Sequence, residues 1–347
     1  MKVVAIGGGT GLAVLLRGLK RHVGTSATSG TDPEISKLTA VVTVTDEGGS
    51  SGRLRRDFGM LPPGDIRNCL VALAGDEKIL TRLFNYRFAA GRGLRGHSLG
   101  NLFLTALTNL TGDFSMAVKL ASEVLAVRGE IFPSTLADVH LRAFLSDGRR
   151  VEGESRIHKT TVPIRRLSIV PARCRPMPET LKALEQADLI TLGPGSLYTS
   201  LLPNLLVSSI PQQIARSKAT KIYIGNLMTQ PGETRGYTVA EHLDAIVQHV
   251  GRNLFDFAVL NDRAFPPAMR KRYAAERAEP VALDLEKVRA LGTSPICAPL
   301  LLADDGVARH DSQRLSRLLL DLVGRPASRP PSRLGEVKRI SALQKRA

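Results

Sequence analysis

Residues 41–68 read VVTVTDEGGSSGRLRRDFGMLPPGDIRN, and the rest of the chain is interpreted outward from this stretch. It begins as an apolar, β-branched run that is typical of a strand buried on both faces. It then changes to two acids, paired glycines and serines, three arginines and a Pro-Pro-Gly-Asp helix start. Glycines let backbone N–H groups approach an anion, and arginines offer forked donors to phosphate. The stretch therefore predicts one wall of a nucleotide or phosphate-ester site, with Asp46 and Glu47 as candidates to contact a metal ion or a ribose hydroxyl.

The chain begins with the same device, MKVVAIGGGTGL. Residues 3–6 predict a short strand, residues 7–11 a glycine loop and residues 12–19 a helix, which is the opening unit of a doubly wound sheet. The N–H groups at such a helix N-terminus favour an anion, although a tight turn with no ligand remains the alternative. A dinucleotide fingerprint requires GxGxxG, and position 12 is leucine, so a nicotinamide-cofactor site is disfavoured.

Two further loops follow predicted strands in the second half of the chain. Residues 193–196, GPGS, follow a strand over 187–192, and the polar loop 225–234 follows a strand over 221–224. Since ligands bind at the carboxyl ends of parallel strands, we expect Gly9, Asp46 and Gly195 to face one cleft.

These elements predict an α/β fold with a mostly parallel, doubly wound sheet. Asp147-Gly148 is a strong hairpin signal and predicts an inserted antiparallel hairpin over about 137–155. Residues 157–178 are expected to be an irregular bridge, and His242 and His249 are expected on the surface of a helix over 238–250. We expect one domain over residues 1–323 and a basic, disordered tail over 324–347.

The candidate ligand-binding residues lie in or beside these loops, and each has a structural alternative such as a helix cap, a turn or an ion pair. His97 is flanked by glycines and is a candidate general acid or base, although orienting a ligand or capping a helix is favoured over that role. Asp65 is a candidate helix cap. Asp46 is also the favoured candidate metal ligand. The full set is Gly8, Gly9, Thr10, Gly11, Asp46, Ser50, Arg53, Asp65, Asn68, His97, Asn101, Gly193, Gly195, Ser196, Asn204, Asn226 and Arg309.

Composition excludes several classes of protein. The chain has 347 residues, three widely spaced cysteines and a net charge of +16, of which the segment 325–347 contributes +6. The cysteine pattern excludes a disulfide framework and a CxxC metal site. No apolar run is long enough to cross a bilayer, and the start of the chain has no secretory signal pattern, which predicts a cytoplasmic protein. The basic charge alone does not distinguish nucleic acid from a small phosphorylated ligand.

Five motifs in order carry a family resemblance: GGGTGL, TVTDEGGSSGRLRRDFGMLPPGDIRNCL, GHSLGNL, GPGSLYTSLLPNLL and NLMTQPGET. Together they resemble the gluconeogenesis factor (YvcK-like) family, which is related to CofD-like 2-phospho-L-lactate transferases. The resemblance covers roughly residues 1–323. It implies a three-layer, Rossmann-like α/β fold. It also implies a cytoplasmic bacterial protein that binds a UDP-sugar such as UDP-N-acetylglucosamine, with a role in cell shape and envelope synthesis during gluconeogenic growth.

By the same resemblance, residues 8–11 and 193–196 are the phosphate loops, and Asn204 and Arg309 contact the UDP-sugar. Family members usually carry two aspartates where this chain has Asp46-Glu47. This departure leaves a metal-dependent role in doubt, although Mg²⁺ stays a candidate cofactor at Asp46.

Four hypotheses follow. The leading one is a regulatory UDP-sugar-binding protein without turnover, acting with an enzyme of amino-sugar or cell-wall precursor synthesis. The second is a Mg²⁺-dependent, CofD-like transferase of a phospholactyl group. Nucleic-acid binding and a nicotinamide-dependent oxidoreductase are disfavoured, and the sequence leaves dimerisation and the preferred sugar open.

Overall fold

A computed structural model describes residues 1–24, 34–75, 78–304 and 306–326 of the chain. The basic tail predicted from the sequence falls almost entirely outside these residues. In the described part, no helix is both long and apolar enough to cross a membrane.

A seven-stranded, wholly parallel sheet forms the centre of the molecule, as the sequence predicts. Its strand order is β10-β9-β8-β7-β1-β2-β3. The first half of the chain builds outward from β1 on one side, and the second half returns to the other side of β1 and builds outward through β7. The strands are β1 (Lys2–Gly7), β2 (Lys37–Val42), β3 (Glu130–Pro133), β7 (Leu189–Leu192), β8 (Thr220–Ile224), β9 (Phe257–Asn261) and β10 (Ser294–Ala298).

The central strands are apolar and buried, because helices cover both faces of a parallel sheet. Val3, Val4, Ala5 and Ile6 of β1 are each at most 2% exposed. On one side α1 packs against α3 and α14, and a second group of helices, α8 to α11, packs together elsewhere on the sheet. The helices are α1 (Gly9–Leu19), α2 (Gly49–Phe58), α3 (Gly64–Leu73), α4 (Lys78–Asn85), α5 (Leu99–Thr111), α6 (Phe114–Val124), α7 (Glu154–Ile157), α8 (Pro178–Gln186), α9 (Leu202–Leu206), α10 (Ile210–Arg216), α11 (Val239–Val250), α12 (Pro267–Ala275), α13 (Leu285–Ala290) and α14 (Ser312–Asp321).

The predicted hairpin is present and belongs to a small antiparallel sheet in the order β5-β4-β6. The turn contains Asp147 and Gly148, and Gly148 adopts φ +85°. A separate two-stranded ribbon, β11-β12, lies near the end of the described chain. The strands of these two sheets are β4 (His140–Leu145), β5 (Arg150–Glu152), β6 (Ile164–Val170), β11 (Leu301–Asp304) and β12 (Val307–His310).

Two expectations about this region are wrong. The stretch 157–178 is not wholly irregular, because β6 lies within it and pairs with β4. His242 is 1% exposed, so it is not a surface residue. His249 is also engaged, since its Nε2 accepts the backbone N–H of Leu167 on β6 at 2.8 Å.

Candidate functional site

Two glycine loops meet where the strand order reverses, at the carboxyl ends of β1 and β7. Gly9 begins α1 with φ +62°, a left-handed conformation that glycine adopts without strain. A Cβ on Gly11 would lie 2.4 Å from the carbonyl oxygen of Pro194, so only glycine allows the two loops to approach this closely. The first turn of α1 contains no acidic residue, and its N–H groups therefore face the gap with a net positive dipole.

The gap is a cleft of about 280 Å³, here named the loop cleft. No Lys or Arg from the described residues lines it, so any anion it binds must be held by backbone N–H groups and neutral side chains. Its lining is Gly8, Gly9, Thr10, Gly11, Pro194, Gly195, Ser196, Ser200, Asn226, Leu227, Met228, Gln230, Tyr273, Ala308 and His310.

The loop after β8 supplies side-chain amides to the cleft. Asn226 Oδ1 lies 3.5 Å from the backbone nitrogen of Gly195. Gln230 Nε2 donates to Ser196 Oγ at 2.7 Å, and Gln230 Oε1 is buried without a partner. A buried, unpartnered acceptor is costly unless a ligand donor completes it.

Tyr273 and His310 form the far wall of the cleft. The Tyr273 hydroxyl accepts the backbone N–H of Ala308 at 3.0 Å, which fixes the ring on β12. Burial lowers the pKa of His310 to about 4, and its Nε2 lies 3.2 Å from the carbonyl oxygen of Gly225. His310 is therefore neutral at physiological pH and serves as an uncharged donor to the backbone.

A second cavity of about 230 Å³ adjoins the loop cleft and is here named the acidic pocket. Gly9, Ser196 and Ser200 line both cavities, so Gly9, Asp46 and Gly195 lie on one continuous surface. The remaining walls of the acidic pocket are Asp46, Asp65, Glu154, His158 and Thr199.

The carboxylates of the acidic pocket repel one another. The pKa of Asp65 is raised to about 7, first by burial and then by Asp46, against a hydrogen bond from the backbone of Gly9. The pKa of Glu154 is also raised to about 7 by burial and by Asp46. Both groups therefore hold a proton through part of the physiological range. A cation that binds beside them favours the ionised carboxylate and displaces this proton.

Glu47 does not share the role of Asp46. Its carboxylate turns toward Arg55, with Oε1 and Nη1 3.9 Å apart, and it fills the space above Gly153, where a Cβ would lie 2.4 Å from Glu47 Oε2. Its backbone N–H donates to Glu154 Oε2 at 3.2 Å. The longer second carboxylate of this chain therefore braces the loop that carries Glu154.

His158 is held by a buried acid on its other side. Its Nδ1 lies 3.4 Å from Glu233 Oε1, and this contact raises the pKa of His158. Glu233 also accepts the backbone N–H of Tyr198 at 2.9 Å and the hydroxyl of Thr199 at 2.8 Å. The pair places an imidazole whose pKa is raised beside the three carboxylates of the acidic pocket.

Other sequence-predicted residues lie near the cavities without lining them. Ser50 Oγ lies 2.9 Å from His97 Nδ1 and accepts Asn101 Nδ2 at 3.0 Å. Arg53 donates to the carbonyl oxygen of Arg95, and Asn68 Oδ1 accepts from Arg67 at 2.7 Å. These five predicted residues form a separate group around the N-termini of α2, α3 and α5.

Three further predicted residues lie at the margin of the loop cleft. Asn204 is fully buried, and its Nδ2 donates hydrogen bonds to the carbonyl oxygens of Gly7 and Ser200. It therefore links the first glycine loop to the segment that follows the second. Gly193 ends β7 with φ +95°. Arg309 lies on β12 between Ala308 and His310, and since alternate residues of a strand face opposite sides, it is on the face away from the cleft.

Sequence reasoning missed Glu154, His158, Gln230 and Tyr273. Glu154 and His158 are far in sequence from the glycine loops, and only the packing of α7 beside β4 brings them to the pocket. Gln230 lies in the loop 225–234, which the sequence predicts to be polar and interrupted by Gly and Pro. Tyr273 is a single aromatic residue on a basic helix, and no sequence pattern indicates that it lies at a site.

The carboxylates of the acidic pocket are candidate ligands for Mg²⁺. Within the described ranges, no three His, Cys, Asp or Glu side chains are arranged to hold a metal ion. Mg²⁺, however, is usually bound by one or two carboxylates together with substrate phosphates and water. Asp46 and Asp65 fit that donor set when a diphosphate lies in the adjoining loop cleft.

Comparison with known proteins identifies the family. A family model described as 2-phospho-L-lactate transferase CofD matches residues 3–301. The chain belongs to the CofD-related gluconeogenesis factor family. It is 54% identical over 93% of its length to a putative gluconeogenesis factor from Nostoc sp., of which it covers 69%. It is 46% identical over 93% of its length to the gluconeogenesis factor of Bacillus subtilis, of which it covers 98%.

The fold of this family member is likewise matched by solved structures. A crystal structure of a UPF0052 family protein from Bacillus halodurans superposes with a TM-score of 0.86 at 46% sequence identity, covering 92% of this chain and 99% of that one. The Rossmann-like architecture implied by the family resemblance is therefore confirmed.

Proposed function

We propose that this gluconeogenesis factor relative binds a UDP-sugar, such as UDP-N-acetylglucosamine, in the loop cleft and acts as a cytoplasmic regulator without turnover. In this role it serves cell shape and envelope synthesis during gluconeogenic growth, through an enzyme of amino-sugar or cell-wall precursor synthesis. The observation that carries the proposal is the convergence of two amide-lined glycine loops, with the Cβ position of Gly11 only 2.4 Å from the Pro194 carbonyl oxygen, on one cleft.

The lining of the cleft suits a nucleoside diphosphate. Helix N-termini and glycine loops bind phosphate through backbone N–H groups and the helix dipole. The ring of Tyr273 offers a flat face for a base, and the amides of Asn226 and Gln230 offer both donors and acceptors to its edge. Gln230 Oε1 lacks a partner, and the N–H of a uracil ring would supply the donor it lacks.

The acidic pocket suits the sugar. It begins at Gly9 and Ser196, where the diphosphate would lie, and is lined by carboxylates that accept hydrogen bonds from hydroxyl groups. A UDP-sugar is long enough to place its base at Tyr273 and its sugar beside Asp46 and Glu154.

Stacking on Tyr273 provides the first test. Tyr273→Leu removes the ring and is expected to raise the Kd for UDP-N-acetylglucosamine by about tenfold, since stacking of a base on an aromatic ring is worth about 1–3 kcal/mol. Tyr273→Phe keeps the ring and loses only the hydroxyl that accepts from Ala308, so it is the matched control and should bind nearly as well as the parent. Titration calorimetry measures both.

A thermal series tests the ligand class itself. Saturating UDP-sugar at about a hundredfold excess over Kd should stabilise the native state by about 2.7 kcal/mol. A melting temperature that does not change with UDP, UDP-glucose or UDP-N-acetylglucosamine would contradict the proposal that the protein binds a UDP-sugar.

A second candidate function is a Mg²⁺-dependent transfer of a phospholactyl group, which the acidic pocket favours. When bound there, Mg²⁺ would neutralise charge on a diphosphate bridge. The chain itself would position the diphosphate on the glycine loops and offer Asp65 or Glu154, with pKa values of about 7, to accept a proton from an acceptor hydroxyl. Product formation from a phospholactyl-nucleotide donor and Mg²⁺ would favour this function, and Asp46→Asn should then abolish it.

A further inference from the structure

Arg53 and Arg87 bind backbone carbonyl groups of the segment 95–97, and Arg67 lies against the start of α5 a few residues further on; with His97 these arginines are here named the arginine pocket. Arg53 Nη2 donates to the carbonyl oxygen of Arg95 at 2.8 Å, and Arg87 Nη1 donates to the next carbonyl oxygen, that of Gly96. Two guanidinium groups are therefore fixed on consecutive peptide groups immediately before His97.

Arg67 completes the group from the first turn of α3. Its side chain lies against the N-terminus of α5, where a Cβ on Gly100 would be 2.9 Å from Arg67 Cδ. The segment that carries Arg87 runs beside it, with Arg67 Nη1 3.5 Å from Asn85 Oδ1. The N-terminus of α5, a helix of 13 residues, adds its dipole to the same positive region.

These cations are not neutralised by direct ion pairs in the described residues. Within the described part of the chain, Arg53, Arg67 and Arg87 make no ion pair with a carboxylate within 4.0 Å. Arg67 Nε is buried without a hydrogen-bond partner. Its guanidinium group donates to neutral side-chain oxygens, Asn68 Oδ1 at 2.7 Å and Asn85 Oδ1 at 3.5 Å. Neighbouring cations without a direct carboxylate partner repel one another, and a bound anion would relieve that repulsion.

The floor of the pocket is polar and preformed. His97 is 5% exposed, and burial together with Arg53 lowers the pKa of its ring, against an opposing effect of Asp57. With Ser50 against Nδ1, the second ring nitrogen of His97 remains to face a ligand. Asn101 is 2% exposed, and its Oδ1 is buried without a partner, which is an independent sign that this network is completed by something other than protein.

We propose that the arginine pocket binds the phosphate group of a second small molecule, a phosphate monoester, in addition to the ligand of the loop cleft. A phosphate monoester carries close to two negative charges near neutral pH and three acceptor oxygens, which match three guanidinium groups. Arg67 lies two residues after Asp65 on α3, and Asp65 lines the acidic pocket, so the bound ester would lie near that pocket. This site does not depend on the identity of the nucleotide sugar.

The experiment uses the full-length protein labelled with ¹⁵N-histidine, with His97 assigned through His97→Asn. Inorganic phosphate and a hexose phosphate are titrated separately at constant ionic strength, with chloride as the reference. Because phosphate also suits the loop cleft, the His97 ring signal, rather than overall stability, locates the binding event.

Two variants and one control decide the outcome. Arg87→Ala and Arg53→Gln should each weaken phosphate binding at His97 by about tenfold, since charge-assisted hydrogen bonds are the strong ones. Arg92→Ala removes an exposed arginine of the same loop and should leave that affinity unchanged. Tyr273→Leu should also leave it unchanged, so a failure of UDP-sugar binding would not mimic a failure here.

The inference is overturned if the His97 signal does not respond to phosphate beyond chloride. It is also overturned if Arg92→Ala weakens binding as much as Arg87→Ala, since that result means diffuse charge rather than a site. A larger His97 shift with the hexose phosphate than with inorganic phosphate would identify the ester as the preferred source of the phosphate group.

Discussion

At the scale of single residues, the acidic pair Asp46-Glu47 shows what sequence can and cannot predict. An acid after a buried strand indicated a site, and Asp46 does line the acidic pocket. The carboxylate of its neighbour Glu47 faces Arg55 instead. Beside Asp46 in the acidic pocket lies the carboxylate of Glu154, 107 residues after Glu47 in the chain. No local pattern predicts that exchange, because it depends on how the short helix α7 packs beside the central sheet.

The raised pKa of Asp65 predicts a change in stability with pH. The folded pKa of about 7 lies above the ordinary value of 3.8, so between about pH 4 and pH 7 the folded state holds a proton that the unfolded state has lost. The free energy of unfolding therefore falls as pH rises through this window and is lowest above pH 7. Asp65→Asn removes the cost of charging this carboxyl, and its fall in stability between pH 5 and pH 8 should be smaller than that of the parent by about 1–2 kcal/mol.

Urea unfolding at pH 5 and pH 8 measures the difference. Asp321→Asn, at the exposed end of α14, is the control and should keep the pH dependence of the parent. Equal pH dependence in Asp65→Asn and the parent would mean that Asp65 is an ordinary, ionised carboxylate.

At the scale of elements, patterns with a local physical cause were predicted and those set by distant partners were not. The glycine loops follow β1 and β7 as expected, and Asp147-Gly148 turns the hairpin of β4 and β5. β6 was missed because Pro163, Pro171 and two outward arginines resemble a linker, whereas pairing with β4 makes it a strand. His249 seemed a surface residue because the strand that contacts it, β6, was itself unrecognised.

The contact between the two glycine loops makes a prediction about α1. Gly11→Ala would place a methyl group 2.4 Å from the carbonyl oxygen of Pro194, so α1 and the 194–195 turn must separate. We expect a loss of about 1–3 kcal/mol in the free energy of unfolding, which is typical of overpacking. We also expect weaker UDP-sugar binding, because the amides of the two loops no longer face one ligand.

Thr10→Ala is the matched control in the same helical turn. Thr10 is exposed, and its replacement should change stability by no more than about 0.5 kcal/mol. Chemical denaturation and calorimetry on both variants test the idea. A Gly11→Ala protein with parental stability and affinity would show that the two loops do not need this close approach.

At the scale of the whole molecule, the sheet order explains why one edge collects residues from the entire chain. Strands built outward from β1 in both directions leave a crevice between β1 and β7, and this is where doubly wound proteins bind ligands. That rule placed Gly9, Asp46 and Gly195 together from sequence alone. It did not predict Tyr273 and His310, because the position of α12 and of the β11-β12 ribbon is set by their own packing.

The two adjoining cavities predict that Mg²⁺ and the UDP-sugar bind cooperatively. A diphosphate in the loop cleft lies beside Asp46, Asp65 and Glu154, and a divalent cation between them offsets the repulsion. At pH 8 the Kd for UDP-N-acetylglucosamine should therefore fall by about tenfold when Mg²⁺ is added, and by linkage the sugar nucleotide should tighten Mg²⁺ equally. At pH 6 the coupling should shrink, because Asp65 and Glu154, with pKa values of about 7, are then protonated and their repulsion no longer needs a cation to offset it.

Glu154→Gln should reduce the coupling at pH 8, whereas Glu47→Gln, on the carboxylate that pairs with Arg55, should not. Calorimetric titrations with and without Mg²⁺ at both pH values measure the Kd for UDP-N-acetylglucosamine in the parent and in both variants. If Mg²⁺ does not change the Kd at pH 8, the acidic pocket takes no part in binding the nucleotide.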